Sequence, residues 1–317
     1  MPAVNAKGLI VDEQFHRILN KLHGESSCRQ LHFYNWSEPL LHPRIVQYCR
    51  VASDLGFHVH LSSNLNRLRD AEGLLDAGVK TLRVSLSGFT QEVYEKGHRG
   101  GDVELVKANM HRLRDARRRT GSNTRLQVYY LKYRHNLHEV SLMRQFAENL
   151  GFTFASDWAF YTPLERMFEY VEGGLSAADR RFADEAIVPA MSSAVALMQG
   201  RRHRSCEAVN QLVLDWQGNV MLCCALYSRA MAGLGRHQQL NWRRIQEMRY
   251  GHEICSKCMH YGVHVLYMHY HVPELRAAME DLAEASLTQE QQEGGDERTP
   301  TVGLGVRGGY SPKEATP

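Results

Sequence analysis

No apolar run in these 317 residues approaches the ~20 that a membrane-spanning helix needs. The opening stretch, Met1-Pro2-Ala3-Val4-Asn5-Ala6-Lys7, lacks the apolar core of a secretory signal. A membrane is therefore not an expected partner, and the expected location is cytoplasmic. Charge of one sign is scarce too. The 38 Lys and Arg against 35 Asp and Glu leave a formal net charge of +3, which gives no general attraction to polyanions. The single local excess, Arg112–Arg119, spreads around a helix and reads as a solvated face, so nucleic acid is not expected either. There is no Walker loop, no serine nucleophile elbow and no His-Glu-x-x-His, so nothing points to P-loop, hydrolase or zincin chemistry. Cysteine is absent before Cys28.

What is present is concentrated late. Five of the 7 cysteines fall between Cys206 and Cys258. Between Cys206 and the adjacent Cys223 and Cys224, two short apolar runs flank a turn at Gln217-Gly218, which predicts a hairpin. Cys255 and Cys258 form a Cys-x-x-Cys pair that supplies two sulfurs from one loop. In a reducing compartment such spacing is better explained by thiolate ligands than by disulfides. Four thiolates suit an iron–sulfur cluster or a structural zinc. Cys49 falls in a helical apolar pattern and reads as core filler.

Upstream, β-rich runs alternate with helical ones. Strands are predicted at 31–36, 57–63, 81–87, 125–133 and 152–160, and helices at 12–23, 44–55, 68–76, 103–119 and 137–150. Gly56, Gly78 and Gly151 follow three of the helices, where a left-handed residue ends a helix. This alternation predicts an α/β fold with a parallel sheet, as in a (β/α) barrel. Residues 175–200 read as one helix capped by Ser176 with Asp179 three residues on. Another helix is expected from Pro273 to about Gln291. The expected organisation is a partial (β/α) barrel over 1–200, a cysteine-rich β-hairpin module over 201–265, a helix over 266–290 and a disordered tail over 291–317.

Several segments together resemble the radical SAM family carrying a C-terminal SPASM-type module. Asn35-Trp36-Ser37-Glu38-Pro39 resembles the family's Gly-Gly-Glu-Pro segment, and His60-Leu61-Ser62-Ser63-Asn64 its third-strand Thr-Asn segment. Arg83-Val84-Ser85-Leu86-Ser87-Gly88 with Tyr94 resembles its Val-Ser-Ile-Asp-Gly and following Tyr. The late cysteines, with the Asp215-x-x-Gly218 turn, resemble the SPASM layout. The likeness runs over about residues 8–262. It implies that S-adenosylmethionine meets the backbone at Trp36 and Ser37 and the Glu38 carboxylate at its amino group. It places Ser62 and Asn64 at the ribose and Ser85 at the methionyl carboxylate. It further implies an auxiliary [4Fe-4S] cluster on Cys206, Cys223, Cys255 and Cys258, with Cys224 in reserve and zinc as the alternative metal.

The family's radical-generating cluster is held by Cys-x-x-x-Cys-x-x-Cys after the first barrel strand, and that strand and loop are missing here. Two readings follow: a chain truncated at its N-terminus, favoured by the clean match from Gly8, or a relative that kept the scaffold and lost the reaction. A complete protein of this family would cleave S-adenosylmethionine reductively and abstract hydrogen from a peptide or small metabolite. It would take electrons from a flavodoxin or ferredoxin. The rival reading is a non-catalytic scaffold with a structural metal. His252 and His260 flank the Cys-x-x-Cys, and His269 and His271 share a face if that stretch is a strand; all four are weak metal candidates. Tyr129, Tyr130 and Tyr133 read as packing aromatics, one of which could line a pocket.

Overall fold

Runs that alternate apolar and polar residues, clearest in the second and third strands, build a sheet of five strands: β1 (Gln30–Phe33), β2 (His58–Ser63), β3 (Val79–Leu86), β4 (Arg125–Lys132) and β5 (Thr153–Trp158). They lie in chain order and are parallel throughout. β1 and β5 do not pair, so the sheet is an open arc, the wall of a (β/α) barrel rather than a closed ring. The computed structural model describes residues 8–268 and 272–293.

Helices α1 (Asp12–Glu25), α2 (Ile45–Asp54), α3 (Ala71–Asp76), α4 (Gln91–Gly97), α5 (Val103–Thr120) and α6 (Val140–Asn149) precede or connect these strands. Their apolar faces bury against the outer face of the sheet, joining Leu19, Tyr48, Leu61, Leu82, Val84, Met110, Leu113 and Val128 in one core. Each such side chain contributes about 1.5–3 kcal/mol by leaving water. Cys49 lies in this core, fully buried. The opposite, inner face of the sheet carries the alternate residues, which are polar and half-exposed in β2 and β3.

Local chemistry explains where observed boundaries depart from the predicted ones. The helix expected over 68–76 begins at Ala71, because the Asp70 side chain accepts from the Gly73 N–H and caps it there. The helix expected over 137–150 begins at Val140, after a 3-10 stretch Arg134–Glu139 whose Asn136 and Glu139 side chains tie other loops. The single helix expected over 175–200 is two, α8 (Ala177–Ala186) and α9 (Met191–Gly200), broken at Pro189, which cannot donate to a continuing helix. Its predicted cap is present: Ser176 Oγ accepts from the Asp179 N–H at 3.1 Å. Helices α4 and α7 (Leu164–Val171) were not foreseen.

From Trp158 onward the chain builds a second core. The predicted hairpin is β6 (Val213–Leu214) with β7 (Asn219–Met221), turning at Gly218 with φ +76°. A third strand, β8 (Gly233–Arg236), follows the short helix α10 (Arg229–Ala232) and pairs with β7. Next come α11 (Trp242–Tyr250), α12 (Glu253–Tyr261), α13 (Val263–Met268) and α14 (Pro273–Glu293). Helices α7 to α9, grouped with the barrel in the sequence reading, pack into this second core with the hairpin and α14. Leu212 and Leu214 touch both cores and join them. Helix α14 also returns to the sheet, where Lys132 pairs with Glu280 at 3.1 Å and Arg276 with Asp157 at 2.7 Å. The expected disordered tail falls mainly on 294–317, and His269 and His271 on 269–271; both segments lie outside the described residues.

Candidate functional site

The loop after β1 holds the first predicted segment. Trp36 reaches across to the cysteine module: its Nε1 donates to the carbonyls of Cys224 and Leu226, both at 3.1 Å, and its ring meets Tyr227 edge-on at 5.4 Å. Ser37 is exposed beside it. Glu38 is anchored by backbone donors, accepting from Leu40 N at 3.0 Å and from Asn64 N at 2.8 Å. Burial raises its pKa, and these hydrogen bonds pull it part of the way back. The carboxylate thus splices the β1 and β2 loops and caps the turn Pro39–Leu41. Its remaining lone pairs are what a ligand would meet.

At the end of β2, Asn64 Oδ1 accepts from Asn66 N at 3.0 Å, and between them the fully buried Leu65 is held at φ +58°. A non-glycine residue rarely adopts that conformation, and such strain clusters at ligand-binding loops. Asn64 and Asn66 line an open cleft of about 330 Å³ with the loop Gly97–Gly101. Gly88, at the end of the Ser85–Gly88 segment, lies so close to the backbone of Val93 and Tyr94 that a Cβ would collide with it. Ser62 does not stand free toward a ribose, because its Oγ accepts from Arg83 Nε at 2.9 Å. Ser85 lies on the same inner face, opposite Tyr129.

His98 in the cleft and His135 near the end of β4 are held neutral by burial, each with its pKa lowered to about 4. A folded pKa below the unfolded 6.5 means the folded state binds fewer protons there. Their stabilisation is therefore present above pH 6.5 and lost as pH falls toward 4. Urea midpoints should drop across that window, and a His98→Gln/His135→Gln variant should show a flatter profile. A variant profile as steep as the parent's would contradict this.

The five late thiols gather in the module, near enough that their charges bear on one another's ionisation. Cys255 and Cys258 are on helix α12 rather than in the expected loop, and i,i+3 spacing puts both on one face. Burial raises all five, Cys223 to about 12. Backbone N–H groups offset this in part: Ala208 and Val209 donate to Cys206, Ala225 and Leu226 to Cys223, and His264 to Cys258. Such donors favour thiolate over thiol. Cys206, Cys223, Cys255 and Cys258 pack against the second core. Cys224 is not part of that packing, and its charge reaches Arg249 and also Tyr34, whose pKa is raised first by burial and then by Cys224.

Arg249 is the group that sequence reasoning missed. It is 1% exposed, donating to Val209 O at 2.8 Å and Gln211 O at 2.6 Å, with Nε unsatisfied. No carboxylate among the described residues pairs with it. Burial lowers its pKa, and Cys223, Cys255, Cys206 and Cys224 act to raise it. A buried cation facing four thiols is a site prepared for net negative charge. In the sequence it is one more arginine of a basic helix, with no signal to separate it. His252 caps α12 through Nδ1, and His260 is exposed. Among the described residues no three His, Cys, Asp or Glu side chains are drawn into a ready-made site for one metal ion.

Comparison with known proteins agrees with this geometry. The radical SAM superfamily model matches residues 5–144. Curated relatives include GTP 3',8-cyclase of Pseudomonas entomophila, 30% identical over 210 residues, and that of Pseudomonas putida at 29% over 210 residues. In each case the match covers 59% of this chain and 61% of the relative, so the chain spans about three-fifths of their length. Among solved structures, SuiB of Streptococcus suis bound to S-adenosylmethionine superposes with a TM-score of 0.53 at 12% identity, covering 80% of this chain and 62% of that one. Native anSMEcpe with bound AdoMet gives 0.51 at 13% identity, covering 88% and 93%. Residues 5–144 thus match a radical SAM superfamily domain, and the parallel sheet with its strand-end loops accords with that fold.

Proposed function

We propose that the chain forms the S-adenosylmethionine-binding wall and the auxiliary-cluster module of a radical SAM/SPASM-type enzyme. The carrying observation is that Cys206, Cys223, Cys224 and Cys255 lie within electrostatic reach of buried Arg249, in a module that Trp36 links to the predicted S-adenosylmethionine loop. Cys206, Cys223, Cys255 and Cys258 would hold a [4Fe-4S] cluster, which supplies electron transfer or a substrate anchor when bound. Their backbone N–H donors favour the thiolate state, and Arg249 offsets the negative charge. Trp36, Ser37, Glu38, Asn64 and Ser85 would line the S-adenosylmethionine side, whereas Ser62, its Oγ taken by Arg83, would not.

In the whole enzyme S-adenosylmethionine would be cleaved reductively, with electrons from a flavodoxin or ferredoxin, and hydrogen taken from a substrate between the sheet and the module. The three thiolates of the radical-generating cluster are not among these 317 residues, so no step of that cleavage is assigned to their side chains. The named activity of the relatives makes a nucleotide substrate one option, and a peptide is the other. No described helix is long and apolar enough to cross a membrane, and seven unpaired cysteines suit the reducing cytoplasm.

Iron and sulfide content after anaerobic reconstitution tests the reading. Arg249 adds a finer check. A buried cation stabilises the more negative, reduced cluster, so Arg249→Met should lower its midpoint potential by tens of millivolts, on the order seen when charge near a cluster changes. Arg249→Lys should recover part of the shift in a potentiometric spectroscopic titration. An unchanged potential in Arg249→Met would remove Arg249 from the site.

A further inference from the structure

We propose that Arg83 anchors an anionic group of the substrate, a carboxylate or a phosphate, on the inner face of the sheet. The inference rests on the reading above that this face is the substrate cavity. Arg83 projects from the middle of β3, with its guanidinium 4.9 Å from the ring centre of Tyr34 and 4.6 Å from that of Tyr129. Its Nε is fixed on Ser62 Oγ. The aromatic faces attract the cation and hold its plane, so little side-chain freedom remains to be lost on binding.

Charge on this face is unbalanced. Among the described residues no carboxylate pairs with Arg83. Asp157, the acidic residue of β5, is taken by Arg276 at 2.7 Å and by Tyr129 OH at 2.7 Å. The two terminal nitrogens of Arg83 have no hydrogen-bond partner among the described residues, and the side chain is half-buried. A partly desolvated cation in that state is stabilised by an incoming anion. A guanidinium edge with both terminal nitrogens open matches two coplanar oxygens, the geometry of a carboxylate or phosphate. Arg83 stands two residues before Ser85 on the same face, and Tyr34, on one side of it, is within electrostatic reach of Cys224. An anion held there lies between the predicted S-adenosylmethionine wall and the cysteine module. The sequence shows only a cation alternating with Leu82 and Val84 in a strand.

The test uses the full reconstituted chain, with GTP as the phosphate probe, a capped Glu-Glu dipeptide as the carboxylate probe, and S-adenosylmethionine as a third ligand, each titrated calorimetrically. One of the first two should bind, and Arg83→Gln should weaken it about tenfold or more, the usual effect of losing a charge-assisted pair. S-adenosylmethionine affinity should change less than about twofold. The probe that binds names the source of the anion. Should Arg83→Gln fail to fold by circular dichroism, Ser62→Ala serves instead; it keeps the charge, frees the guanidinium, and should weaken the same probe several-fold. Unchanged affinity in the folded variant, no binding of either probe at millimolar concentration, or a loss confined to S-adenosylmethionine would each overturn the proposal. None of these titrations reads iron content, so failure of the cluster assignment is seen separately from failure here.

Discussion

Glu139→Ala is expected to destabilise the fold by about 3–5 kcal/mol, a large share of the 5–15 kcal/mol that holds a typical domain together. Glu139 is 2% exposed, and its carboxylate accepts from Phe89 N at 2.6 Å, Thr90 N at 3.2 Å and Thr90 Oγ1 at 2.6 Å. Burial pushes its pKa up, but the hydrogen bonds from Thr90 and Phe89 outweigh that and hold it below the usual carboxylate range. Alanine would strand those donors, each at about 1–3 kcal/mol. Because the folded pKa is depressed, the contribution is present above the unfolded value of 4.5 and is lost as pH falls through the folded one. Glu139→Gln keeps one acceptor oxygen and should lose about half as much. Urea midpoints at pH 7 check both variants, and a loss under about 1 kcal/mol in Glu139→Ala would show that the loop after β3 does not depend on this carboxylate.

The second large effect falls on the module. Cys255→Ala/Cys258→Ala removes both sulfurs that α12 presents on one face and should reduce bound iron from about four atoms per chain to near zero. Single variants sort the adjacent pair: Cys223→Ala should lose the iron, whereas Cys224→Ala, at a position outside the second-core packing that holds the other four late cysteines, should keep most of it. The reverse outcome would exchange their roles.

The parallel sheet was legible because period-two alternation in Val59, Leu61 and Ser63, or Leu82, Val84 and Leu86, follows from one buried face. Helix ends were less legible. Asp70 and the Pro189 break act through single residues, and the 3-10 turn before α6 exists because Asn136 and Glu139 satisfy loops distant in sequence. Likewise, cysteine spacing announced that the late thiols share one module, but not that Cys255 and Cys258 stand on a helix. Arg249 and Arg83 were illegible for one physical reason: what distinguishes each is a missing counter-ion in three dimensions, and a sequence does not record which charges end up unpaired. Glu38 was legible as a strand-end carboxylate, and the structure adds its splicing of the β1 and β2 loops.

The most direct measurement is metal and acid-labile sulfide content of the anaerobically reconstituted chain, with Cys255→Ala/Cys258→Ala alongside. About four irons and four sulfides per chain, lost in the variant, is the predicted result. About one zinc with no sulfide in the parent would contradict it and make the module a structural staple on a binding scaffold.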